Sequence, residues 1–155
     1  MELILVISIS YLMGSIPFGL ILTKIFLKKD IREVGSGNIG ATNVLRTGNK
    51  VIGYLTLILD VLKAVIPVLY IKINFPEMIY ISSLSAFIGH VFPVWLKFKG
   101  GKGVASFLGL LAFISWPLTL LFCMTWLISV KLFKISAAGA MLAIIVNVII
   151  FKSVL

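Results

Sequence analysis

Charge is scarce in this chain. Asp, Glu, Lys and Arg together make up 12% of its 155 residues, against about 25% in soluble domains, too few to cover a solvated globular surface. Acidic groups are scarcer still. Five Asp and Glu residues are scattered between Glu2 and Glu77, and with one histidine and one cysteine they offer no metal site. Cys123 lies inside an apolar run, so a disulfide framework is excluded. Nothing resembles a Ser-His-Asp triad. No cleavable leader is expected in the N-terminal apolar run, which is long, has no basic start and no small-residue cleavage site. We read it as a retained helix rather than a signal peptide.

Apolar residues, by contrast, are abundant: 61% of the chain is hydrophobic and the mean hydropathy is +1.18. Apolar runs occupy Leu3–Leu22, Val51–Ile71, Met78–Leu96, Val104–Val130 and Ile135–Phe151. About twenty helical residues cover the roughly 30 Å of a hydrocarbon core. The expected fold is therefore all-α, a polytopic membrane helix bundle forming one integral-membrane domain over residues 1–155. In the first run, Gly14-Ser15-Ile16-Pro17-Phe18-Gly19 is small and kinked, suited to close approach of another helix. The run Val104–Val130 carries no charge. It is either one long tilted helix or two helices broken at Ser115-Trp116-Pro117, since proline occurs both in interfacial turns and inside membrane helices. A break gives about six transmembrane helices with both termini outside, the arrangement we prefer.

The net charge of +9 does not indicate nucleic acid, because the basic residues sit between apolar runs, where membrane topology accounts for them. Lys24–Lys50, Lys97–Lys102 and Lys131–Lys134 hold six, three and two of them, 11 of the 14 Lys and Arg, and share one side if the break exists. Without it that side holds 10, so the positive-inside bias fits both arrangements. In either, two full spans separate Lys24–Lys50 from Lys97–Lys102, which places these loops on one face, the cytoplasmic one.

The first of these loops contains Gly35-Ser36-Gly37-Asn38-Ile39-Gly40, a letter-for-letter G-x-G-x-x-G. That fingerprint marks a dinucleotide turn only between a buried strand and a helix, and here the charged segment Lys28–Val34 precedes it. A phosphate cradle is the alternative. The N–H groups of Gly35 and Gly37, the neutral donors Ser36, Asn38, Thr42 and Asn43, the Arg46 fork, and a helix N-terminus near Ala41 would together hold an anion. A solvated loop whose Gly and Asn merely make turns is the plainer possibility. The second loop, Lys97-Phe98-Lys99-Gly100-Gly101-Lys102-Gly103, is not a Walker A sequence. Lys97 and Lys99 suit membrane anchoring. Lys102, flanked by Gly101 and Gly103 and opening an apolar helix, is the better phosphate ligand, with Gly100 and Gly101 beside it. His90 ends the third span near the same face and is either a general base, as imidazole titrates near neutral pH, or a packing or capping residue. Asp60 and Lys63, three residues apart, are expected to pair within the membrane as structure.

Taken together, GSIPFG, GSGNIGATNVLR, the aspartate and lysine of LDVLKA, and GHVFPVWLKFKGGKGVA closely resemble the PlsY family of bacterial membrane glycerol-3-phosphate acyltransferases. The likeness runs from about Met13 to about Ser106 and continues weakly through the serine of KISAAG. The resemblance implies a seven-helix fold with cytoplasmic signature loops in the bacterial inner membrane. It also implies transfer of an acyl chain from acyl-phosphate to the 1-hydroxyl of glycerol 3-phosphate, without metal or cofactor. On that likeness the phosphate-handling residues are Ser36, Arg46, Lys102 and Ser136, with Asn38, Asn43 and His90 nearby. The break at Pro117 follows too, because it sets Ser136 on the face of the loops. The bilayer and the enzyme that makes acyl-phosphate are the implied partners. The family's seventh helix and basic R-H-x-E-N tail have no counterpart up to Leu155. A non-catalytic truncated remnant and a small anion transporter therefore stand as the competing expectations.

Overall fold

Proline and glycine divide the first apolar run. Helix α1 (Glu2–Gly14) stops ahead of Pro17, whose missing N–H cannot continue the ladder, and α2 (Phe18–Leu27) resumes beyond it in the computed structural model, which describes residues 1–154. A 3-10 turn, Ile31–Glu33, and the short α3 (Ala41–Leu45) lie between this pair and α4 (Lys50–Asn74). Asn49 caps α4, its side chain accepting from the Ile52 N–H at 3.0 Å. Helix α5 (Ile79–Val91) is flanked by the 3-10 turns Pro76–Met78 and Val94–Leu96. Then come α6 (Val104–Ile114), α7 (Trp116–Phe133) and α8 (Ser136–Val154).

The long uncharged run is thus two helices. The chain leaves α6 at Ile114, Ser115 is extended, and Pro117 occupies the first turn of α7, where its lost donor costs nothing. Among the described residues six apolar segments result, four of them long and apolar enough to cross a membrane, against about six transmembrane helices expected. By length and composition Glu2–Leu27, Lys50–Asn74, Pro76–Leu96 and Trp116–Phe133 can cross a membrane, whereas Val104–Ile114 and Ser136–Ile150 are shorter. At 1.5 Å per residue the 11 residues of α6 reach only about 16 Å.

Residues 1–110 form one compact unit and the chain from Leu111 a second. In the first, α1 and α5 cross closely because their contact residues are small. A Cβ at Gly14 would strike the Ala86 carbonyl, and one at Gly89 the Tyr11 carbonyl. Ser10 and Ser82 join their hydroxyls at 2.8 Å across this crossing, and the Tyr11 hydroxyl donates to the Phe92 carbonyl at 2.8 Å. Helix α4 packs against α1, α2 and α5. In the second unit α7 and α8 form a hairpin, with the Trp126 indole N–H donating to the Ser136 carbonyl at 3.2 Å.

Asp60 and Lys63 do pair. Lys63 Nζ lies 2.8 Å from Asp60 Oδ1, both side chains are nearly inaccessible, and Nζ also donates to the Ile16 carbonyl at 2.6 Å. Ile16 belongs to the non-helical link around Pro17, so its carbonyl stands outside the helical ladder and can receive the ammonium. The pair thereby bolts the kink of the first span to α4. Removing one member leaves the other charge buried, which typically costs about 3–5 kcal/mol, whereas replacing both with apolar groups is close to neutral. We expect Asp60→Ala to lower thermal stability in detergent far more than the double variant Asp60→Ala/Lys63→Met. A single variant no less stable than the double would show that the pair does not hold the fold.

Candidate functional site

The loop between α2 and α4 is built around one side chain. Asn43 is 2% exposed. Its Nδ2 donates to the carbonyls of Ile31 at 3.1 Å, Val34 at 2.8 Å and Asn38 at 2.8 Å, while its Oδ1 accepts the Ser36 N–H at 3.0 Å. Three carbonyls on one side and an N–H on the other fix the orientation of the amide. Asn43 therefore has no donor left for a ligand, which corrects its expected role: it shapes the loop. Ile31, Ile39 and Val44 seat the loop on Leu20, Leu22 and Ile52, each buried aliphatic side chain contributing about 1.5–3 kcal/mol. Gly35, at φ 55°, allows the turn above Asn43; a Cβ there would lie 2.6 Å from Asn43 Oδ1 and 2.9 Å from Arg46 Cδ.

The dinucleotide possibility ends here. A 3-10 turn precedes the glycines, and the helix that follows is five residues long. So short a helix also contributes less at its N-terminus than the cradle reading supposed. A second correction concerns the backbone donors. The Ser36 N–H is taken by Asn43 and the Gly37 N–H by the Val34 carbonyl at 3.0 Å. In the second loop the Gly100 N–H donates to Val91 and the Gly101 N–H to His90, each at 3.1 Å. These glycine amides hold the loops together instead of facing a ligand.

The second loop folds back onto the end of α5. A Cβ at Gly101 would collide with His90 Nε2, so the bare backbone lies against the imidazole. His90 is itself 3% exposed, with Nδ1 3.0 Å from Ser106 Oγ and 3.9 Å from Asp60 Oδ1. Of the two expectations for His90, packing is the one this geometry favours. Leu96, just ahead of the loop, packs on the apolar cluster beneath the first loop, so the two loops adjoin as the topology required.

Polar side chains facing outward remain. Ser36, Thr42, Arg46 and Lys102 are exposed and Asn38 is half-buried. The basic residues divide by partner. Arg32 forks onto Asp30 at 2.9 and 2.6 Å and Lys24 approaches it at 3.4 Å; the Arg32 hydrogen bonds hold the Asp30 carboxyl well below the usual range. Arg46 and Lys102 make no ion pair among the described residues, and neither do Lys28, Lys29, Lys50, Lys97 and Lys99. Arg46 instead folds over Gly35 beside Ser36. Two unneutralised cations on adjoining loops suit a phosphate. Ser136, the remaining candidate, starts α8 in the second unit. Ser106, missed in the sequence, is the one polar side chain of α6, and that was the available signal. A transporter's polar path has little to use, because Asp60, Lys63, Ser106, His90, Ser10 and Ser82 are engaged with one another.

The profile of the family described as glycerol-3-phosphate acyltransferase matches residues 4–154. The glycerol-3-phosphate acyltransferase of Pelagibacter ubique (strain HTCC1062) is 62% identical over 141 residues, 91% of this chain and 74% of that protein. The one from Bartonella henselae (Houston 1) is 49% identical over 148 residues, 92% of this chain and 70% of that protein. The chain is also similar to the crystal structure of PlsY (YgiH), an integral membrane glycerol 3-phosphate acyltransferase, in its glycerol 3-phosphate form. That match has a TM-score of 0.87 and 35% identity, covering 99% of this chain and 78% of that one. The lysophosphatidic acid form matches with a TM-score of 0.85 and 34% identity.

The keystone role of Asn43 is directly measurable. Asn43→Ala leaves its carbonyl and N–H partners unpaired, at about 1–3 kcal/mol for a buried group. Amide exchange at Ser36 and Gly37 should accelerate about tenfold to 100-fold, while exchange in the middle of α4 stays unchanged. Equal acceleration in both would mean that Asn43 supports the whole unit rather than the loop.

Proposed function

The chain belongs to the glycerol-3-phosphate acyltransferase family, and from that premise we propose that it transfers an acyl chain from acyl-phosphate to the 1-hydroxyl of glycerol 3-phosphate. The products are lysophosphatidic acid and inorganic phosphate. The observation that carries this reading is the exposed Arg46, folded over Gly35 beside Ser36, together with the exposed Lys102 on the adjoining glycine loop. Each substrate brings a phosphate, and together they crowd negative charge into one place. Arg46 and Lys102 offset that repulsion, with Ser36 Oγ as a neutral donor. The hydroxyl oxygen bonds to the acyl carbon, the bond from that carbon to the phosphate oxygen breaks, and the hydroxyl proton ends on the departing phosphate. Phosphate leaves readily, so no protein nucleophile is needed. Orientation and charge neutralisation supply the rate.

The acyl chain of the donor belongs in the bilayer, which is why the site stands at the ends of apolar helices. The enzyme that makes acyl-phosphate is the partner this substrate implies. The site faces the cytoplasm of a bacterial inner membrane, where glycerol 3-phosphate is dissolved and where basic loops are retained.

Purified protein in detergent, supplied with palmitoyl-phosphate and radiolabelled glycerol 3-phosphate, should release labelled lysophosphatidate. Folded protein that releases none would overturn the reading. Arg46→Ala and Lys102→Ala should each lower kcat/KM at least about tenfold, since a charge-assisted hydrogen bond is worth about 1.5–3 kcal/mol. Lys97→Ala and Lys99→Ala are the controls. Losses as large in the controls would mean that diffuse positive charge, not a shaped site, is what the loops provide.

Orientation has its own test. Lys50 and Lys99 are exposed on the two loops. Single cysteines at these positions, in a Cys123→Ser background, should resist an impermeant thiol reagent in intact cells and react once the membrane is opened. Rapid reaction in intact cells would place the loops outside.

A further inference from the structure

Ser106 sits at the centre of a chain of contacts that runs from the membrane-buried ion pair to the glycine loop. Its hydroxyl donates to the Asp60 carbonyl at 3.0 Å and lies 3.0 Å from His90 Nδ1. A carbonyl only accepts, so the single hydroxyl hydrogen is committed to Asp60. The hydrogen between Ser106 and His90 must therefore belong to the imidazole, which makes Nδ1 the protonated nitrogen. The Asp60 carboxylate, with Oδ1 3.9 Å from Nδ1, favours the same placement. Nε2 is left as the lone-pair nitrogen, and it is the atom against which Gly101 rests.

The Phe98 and Lys99 N–H groups bond to the Pro93 and Leu96 carbonyls on one side of the loop, and Gly103 lies against the Phe87 ring on the other. The Gly100 and Gly101 N–H groups bond to the last carbonyls of α5, and the ring beneath Gly101 sets how far the chain can descend. Lys102 is the next residue. A tilt or flip of the ring would exchange a lone pair for an N–H under Gly101 and shift the backbone that carries the Lys102 ammonium.

We propose that Ser106 is a positioning residue, which locks His90 in its Nδ1-protonated form and so sets the position of the Gly100-Gly101-Lys102 loop. The consequence for glycerol 3-phosphate binding rests on the acyltransferase reading above. The ring state does not, and it can be read in the resting protein.

His90 is the only histidine, so the full chain labelled with 15N-histidine gives one imidazole spectrum in detergent micelles. The wild-type protein should show a protonated Nδ1 and an unprotonated Nε2. Ser106→Ala should move the proton wholly or partly to Nε2 and raise KM for glycerol 3-phosphate about fivefold to tenfold, with a smaller change in kcat. Ser106→Thr, which keeps the hydroxyl, should restore both. A purely structural loss would lower kcat through the folded fraction and leave KM unchanged. If Ser106→Ala does not fold, Ser106→Cys, of similar volume and weaker as a donor, provides the same comparison. A wild-type ring protonated on Nε2, or an unchanged KM in the variant, overturns the proposal. Wild-type protein that makes no lysophosphatidate would remove the acyltransferase reading while leaving the ring spectrum as a valid test of the lock.

Discussion

Inside a bilayer a polar group finds no water, so every ammonium, carboxylate, hydroxyl and broken helix carbonyl has to be satisfied by the protein itself. In the unit spanning residues 1–110 several of these groups meet in one cluster. Lys63 neutralises Asp60 and also takes up the Ile16 carbonyl released at the Pro17 kink. Ser106 takes up the Asp60 carbonyl, and His90 completes the set. Four segments remote in sequence, the α1–α2 link, α4, α5 and α6, are therefore held in one register by polar contacts that have no alternative partner in lipid. Dispersion forces between apolar helices alone would leave that register loosely specified, since lipid chains are as apolar as the helices they would replace.

The loops inherit their geometry from this cluster. Glycine matters in them less for exposing donors than for allowing contact: backbone lies against the imidazole at Gly101 and against Asn43 and Arg46 at Gly35. With the Ser36, Gly37, Gly100 and Gly101 amides spent internally, more of ligand recognition falls to side chains, and the distribution of charge matters more. Arg32 and Lys24 are absorbed by Asp30, whereas Arg46 and Lys102, like the other lysines of the two loops, make no ion pair among the described residues. A site that receives a phosphate is helped by cations that the protein has not already neutralised.

Much of this was legible in the amino-acid order. Low charge and recurrent apolar runs fix a membrane helix bundle, because only a helix hides its own backbone in lipid. The intervals between runs place the two basic loops on one face. The three-residue spacing of Asp60 and Lys63 implies their pairing, and the four motifs carry the family. The roles of individual polar residues were less legible. Asn43 reads as a ligand donor as readily as a loop keystone, since both uses demand the same amide. His90 reads as a base or a packing residue for the same reason. Ser106 drew no attention, because one serine in an apolar helix has many uses.

The sequence by itself determined the class of fold, the apolar segments, the shared face of the loops and the kind of ligand those loops attract. These depend on composition and on spacing along one helix or between spans, which are local quantities. Only the tertiary structure decided which donors are already spent. The amide of Asn43 is consumed by three carbonyls from residues five to twelve positions away, and the Ser106 hydroxyl by a carbonyl 46 residues distant. A hydrogen bond can be formed once, and whether it has been formed depends on which chain segments meet, a property that no single segment contains.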